Sequence, residues 1–149
     1  MTSLREVVES NRSYFEGDTF ETKQSLLKAE VTLGVNLPEE LKWLLINVGY
    51  GECSVLSSLE DSVSDTIRFR NSAKLPSKFI VLEDLNDSGV VVLNTASDNG
   101  EVTWLTAHET SKLADIHPLN LTDADYYPSL SEWLIFKLDV KVEESEHCN

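Results

Sequence analysis

The sequence predicts an α+β protein, with N-terminal helices packed on an antiparallel sheet and a closing C-terminal helix. Three observations carry that expectation. Apolar residues recur at helical spacing through the first third of the chain. Three runs rich in valine, leucine, isoleucine and aromatics, joined by short polar turns, follow between residues 79 and 106. Helical spacing then returns after Pro128.

The elements follow in order. Ser3-Leu4-Arg5-Glu6 fits a capping box, and Leu4, Val7 and Val8 share one helical face behind it. Asp18-Thr19-Phe20-Glu21 is a second capping-box candidate, with Leu26, Leu27 and Val31 expected on the buried face and Gly34 as the stop. Pro38 suits the first turn of a third helix, where Glu39 and Glu40 meet the positive end of the helix dipole. In that helix Leu41, Leu44, Leu45 and Val48 fall at i, i+3, i+4 and i+7, a buried stripe ended by Gly49; Trp43 lies off it. Cys53–Leu56 has the composition of a short strand, and Leu59–Arg70 fits no single period although Val63 and Ile67 stand at helical spacing. Phe79–Leu85, Gly89–Asn94 and Glu101–Thr106 read as strands, with turns at Asn86–Gly89 and Ser97–Gly100, hence an antiparallel meander. Val90–Leu93 does not alternate, so this strand is expected to be covered on both faces. Ser129-Leu130-Ser131-Glu132 is a further capping box, with Leu130, Trp133, Leu134 and Leu138 behind it. A single domain is expected over residues 1–140, followed by an acidic, disordered tail at 141–149.

A chain of 149 residues buries roughly 68–70% of its unfolded surface and needs neither metal nor disulfide to fold. The two cysteines, Cys53 and Cys148, do not form a disulfide framework, and their number fits a reducing cytoplasm. The N-terminus lacks the apolar core of a secretory signal, and no run reaches the ~18 apolar residues of a membrane span, so a cytoplasmic location is expected.

No catalytic constellation is legible. His108, His117 and His147 stand in no metal-ligand spacing, neither cysteine has a CxxC partner, and no phosphate-binding glycine loop is present. Carboxylates are abundant, and with 26 of them chance pairs are expected; an acid/base pair is a weaker explanation than surface charge. We therefore expect no catalytic residues, no metal and no cofactor.

Charge is the informative feature. Lysine and arginine total 12 against 26 acids, a formal net charge of −14. Such a surface repels nucleic acid and the anionic face of a membrane and attracts cationic proteins. Between Lys78 and Lys137 the only basic residue is Lys112, against ten acids. A solubility device spreads both signs, whereas one-signed clustering costs stability and steers a cationic partner. Tyr126 and Tyr127 follow Asp123 and Asp125, and aromatics beside carboxylates are typical of binding hot spots. The expected partner-binding residues are Glu83, Asp84, Asp87, Asp98, Glu101, Asp123, Asp125, Tyr126 and Tyr127.

The block Glu30-x-x-Leu33-Gly34-x-x-Leu37-Pro38-Glu39-Glu40-Leu41, continuing through Leu44-Leu45 to Asn47-Val48-Gly49, resembles the N-terminal signature of the SUKH superfamily, which includes the Smi/Knr cell-wall assembly regulators. Leu75-Pro76, the glycine turns at Gly89 and Gly100 and the last helix are similar too, so that the likeness spans Thr19 to Leu138. The resemblance implies an α+β fold without catalysis. It also implies an immunity protein that neutralises a cognate polymorphic or contact-dependent growth inhibition toxin, many of which are basic nucleases. Glu30 matches the family glutamate. The alternative within the same resemblance is a non-catalytic scaffold or regulatory adaptor. Self-repulsion makes a monomer the expected free state.

Overall fold

The computed structural model describes residues 4–15, 17–50 and 57–144. The expected capping box at Ser3, the expected strand Cys53–Leu56, and His147 and Cys148 lie at least in part outside those residues. Five helices precede the sheet: α1 Leu4–Ser10, α2 Arg12–Phe15, α3 Lys23–Leu33, α4 Glu39–Asn47 and α5 Leu59–Ser72. The strands are β1 Phe79–Asp84, β2 Val90–Asn94, β3 Val102–Leu105 and β4 Asp125–Tyr127, and helix α6, Leu130–Glu144, closes the chain. The last helix thus continues through residues 141–144, which the sequence assigned to the tail.

The α+β expectation holds. The sheet is antiparallel in the order β1-β2-β3-β4. Alternation divides its side chains between two cores. Ile80, Val91, Leu93 and Val102 face the layer containing α1, α3, α4 and α6; Val81, Val90, Val92 and Leu105 face Phe69, Leu75, Leu113 and Leu121. β2 is therefore buried on both faces, as its lack of alternation predicted. One residue, Leu82, is inserted between the pairs Val81↔Val92 and Glu83↔Val91. This bulge puts Leu82 in the helical core and sets Glu83 on the α6 side.

The helices arise from local signals with two corrections. In α4, Leu41, Leu44, Leu45 and Val48 are all buried, as the period predicts, and each such side chain contributes roughly 1.5–3 kcal/mol. In α3 the start is Thr22, not Asp18. The Thr22 hydroxyl accepts the Ser25 amide, and the Ser25 hydroxyl accepts that of Thr22 in return. Its buried residues are Leu26, Ala29 and Leu33, while Leu27 and Val31 face solvent. Gly34 ends α3 at φ 68°, in the left-handed region. α5 resolves the ambiguous segment as helix, and its inward face carries Ser62 and Thr66 as well as Leu59 and Phe69. The hydroxyl of Thr66 accepts the Val81 amide at 2.8 Å, and that of Ser62 donates to the Val81 carbonyl. These bonds satisfy the outer edge of β1 at Val81, where no further strand lies beside it among the described residues. The Ser129 hydroxyl caps α6 by accepting the Glu132 amide at 3.2 Å.

Glu30 serves the fold. Its carboxylate accepts the Leu37 amide at 2.7 Å and lies 3.3 Å from the Lys42 ammonium. It pins the α3–α4 loop with charge-assisted bonds. Arg70 acts likewise at the same end of α3, donating to the carbonyls of Leu33 and Ser77 at 2.8 and 2.7 Å.

Candidate functional site

The nine expected binding residues do not form one patch. Because the strands run antiparallel, the end of β1, the turn before β2, the end of β3 and the start of β4 lie at one end of the sheet. Asp84, Asp87, Asp123 and Asp125 belong there. Asp98 and Glu101 lie at the opposite end, at the β2–β3 turn. Register assigns the remainder. Tyr127 pairs with Val102 and shares its face, toward α6, whereas Tyr126 pairs with Thr103 and faces the other way.

Two of the nine form internal ion pairs. Glu83 is clasped by Lys137 of α6, with Nζ 2.9 Å from Oε1 and both side chains largely covered. Asp84 accepts from Arg68 of α5 and from the Asn86 amide, so it ties helix, strand and turn together. These two carboxylates hold the molecule together and present little negative charge to a partner. Asp87, Asp98, Asp123 and Asp125 are exposed, and none of them forms an ion pair among the described residues.

Tyr126 and Tyr127 are both half-buried. Tyr127 packs on Phe136 of α6, ring centroids 5.5 Å apart, and Phe136 in turn meets Trp104 at 5.9 Å. The Trp104 indole donates to the Ser88 carbonyl at 2.7 Å, locking the β1–β2 turn beside Asp87. On the opposite face Tyr126 meets the edge of His117 at 5.2 Å. His117 Nδ1 accepts the Leu119 amide at 3.1 Å, capping the short turn Pro118–Asn120. Burial, then a hydrogen bond to the Glu101 carboxylate, pushes the Tyr126 hydroxyl up to about 12.

That shift has a testable sign. A folded-state pKa above the unfolded value near 10 means that the folded state holds the proton more tightly. The associated stability is present below pH 10 and is lost as the pH rises toward 12. Urea midpoints are expected to fall over this window. Tyr126→Phe should flatten the decline, leaving the share due to Tyr50, which is also raised to about 12 by its bond to Glu21. An identical pH profile for Tyr126→Phe and the parent would count against the Tyr126–Glu101 bond.

Sequence reasoning missed β4 as a strand and missed Trp104, Ile116 and Leu119. The aromatic pair at 126–127 was the available signal for β4. Leu119 is 69% exposed within a stretch without helical or strand period, and composition alone does not distinguish it from a core leucine.

The described residues contain no group of three or more His, Cys, Asp or Glu side chains placed to hold a metal ion. No described helix is long and apolar enough to cross a membrane. A groove of about 790 Å³ lies between α1, α3 and α4 over Leu26, Trp43 and Ile46, away from the acids of the sheet. No curated protein matches the chain. The SUKH family model described as SMI1-KNR4 cell-wall matches residues 4–135, and the helix–sheet–helix order just described runs through that whole span. The protein therefore belongs to the SUKH family of the SMI1-KNR4 type.

Proposed function

We propose that this protein is a non-catalytic immunity protein of the cytoplasm. It binds a cognate polymorphic or contact-dependent growth inhibition toxin, a cationic nuclease domain, and disables it by covering its basic surface. The observation that carries this reading is one-signed charge. Residues 79–136 hold ten acids and one base; Glu83, Asp84 and Glu109 are held in ion pairs, and the other seven form none among the described residues. A nuclease presents cations to the phosphate backbone, and the complementary protein surface is a one-signed acidic one. Family membership supports the reading, since SUKH domains point to immunity proteins or to SMI1/KNR4-like regulators.

The second reading is a scaffold or regulatory adaptor, favoured by the cell-wall description of the matching family model. Both bind through a surface; they differ in partner. Co-expression with the toxic C-terminal domain encoded immediately upstream separates them. Immunity requires cell survival, a stable one-to-one complex, and an association rate that falls as ionic strength rises. Cell death without complex formation, or an upstream gene that encodes no toxin, would move the assignment to the adaptor.

A further inference from the structure

We infer that the partner docks on the open edge of the sheet, over β4 and its two flanking elements, and that this surface takes a protein segment carrying both cations and apolar side chains. The inference rests on the immunity reading for the partner's biological role, but its physical basis is independent of that role.

The two edges of the sheet are treated differently. β1 is covered by α5, whose Ser62 and Thr66 satisfy the edge at Val81. β4 has β3 on one side and, among the described residues, no strand on the other. The turn Pro118–Asn120 and α6 pack against it, joined through the Tyr126–His117 and Tyr127–Phe136 contacts. Those flanks expose apolar side chains: Leu119 is 69% exposed, Ile116 38% and Ile135 37%. The other exposed large apolar side chains among the described residues are Phe20, Leu27 and Val31, in α3 and the segment before it, and Ile67, alone on α5 beside the covered β1 edge.

Charge at this edge is one-signed. No lysine or arginine occurs from residue 113 to 136, while Asp115, Asp123, Asp125 and Glu132 are all exposed without ion pairs among the described residues. The basic residues that bound this interval are already engaged, Lys112 with Glu109 and Lys137 with Glu83. Single exposed leucines are ordinary on a monomer. Several beside an open strand, ringed by uncompensated acids and backed by two tyrosines, have the composition of an interface: apolar and aromatic anchors with a charged rim. The same acids oppose a second copy of this chain, because like charges would face one another. The Asp98–Glu101 end lacks the apolar component, and Glu83 and Asp84 have internal partners, so neither competes for this role.

The test uses the full chain, with a hexapeptide of alternating arginine and leucine as the probe. Backbone amide signals of residues 115–127 and of the first turns of α6 should move first on titration. Asp123→Lys/Asp125→Lys should weaken binding at least about tenfold, and Asp18→Lys/Asp98→Lys, with the same change in net charge, about twofold or less. Leu119→Ser, at an exposed position, should weaken binding several-fold with no change in charge and little change in melting temperature. Equal weakening by the two double variants, shifts centred on the Asp98 turn, or concentration-dependent self-association through the β4 signals would overturn the proposal. Toxin co-expression distinguishes the two inferences. Protection lost only in Asp123→Lys/Asp125→Lys supports the surface. Protection kept by both double variants leaves immunity standing and removes the surface. Peptide binding at β4 without protection by the parent removes immunity and leaves the surface.

Discussion

Gly89→Ala is expected to destabilise the protein by at least about 3 kcal/mol, a fall in melting temperature on the order of 6–12 °C for a chain of this size. Two costs combine. Gly89 lies at φ 104° and ψ −163°, a region that side-chain-bearing residues scarcely enter. A Cβ there would also stand 2.6 Å from the Leu105 carbonyl oxygen and 3.0 Å from the Trp104 indole nitrogen. Relief would require β2 to withdraw from β3 or Trp104 to release Ser88, and Trp104 also supports Phe136 behind β4. Gly34→Ala is the control. Gly34 is also at positive φ, 68°, but a Cβ there meets nothing within 4 Å. Its cost is the left-handed conformation alone, roughly 1–2 kcal/mol. Chemical denaturation of both variants decides the matter; equal losses would mean that the close approach of β3 contributes nothing.

The second large effect is Leu44→Ala. Leu44 is fully buried in the core between the helices and the sheet, and truncation should cost about 2–5 kcal/mol through lost burial and the cavity left behind. Leu27→Ala, one helix earlier, should change stability by no more than about 0.5 kcal/mol, because Leu27 is 61% exposed. Both leucines sit in helices that read as amphipathic. A large loss at Leu27 in calorimetry would mean that α3 is rotated from the orientation described above.

That contrast shows what was legible. α4 presents four apolar residues at one spacing, so its buried face has a single solution. α3 carries apolar residues at 26, 27, 29, 31 and 33, which encircle more than one face. Packing into the shared helical core chooses Leu26, Ala29 and Leu33, and no local signal makes that choice. α5 was ambiguous for the opposite reason. Its buried residues include a serine and a threonine because the neighbour they face is a strand edge that needs hydrogen bonds. A hydrophobic period cannot report a polar requirement set by another element. β4 is three residues long and begins with aspartate, a poor strand former; it is a strand because β3 is beside it.

The sequence by itself determined the α+β order, the β1–β3 meander with its two turns, the doubly covered β2 and the concentration of negative charge after Lys78. These follow from backbone repeats and from counting, which need only local information. Only the tertiary structure decided which acids remain available. Glu83 and Asp84 look like their neighbours along the chain, yet their cations come from 54 and 16 residues away. Electrostatic attraction depends on distance through space, so folding neutralised those two and left Asp123 and Asp125 beside an open strand.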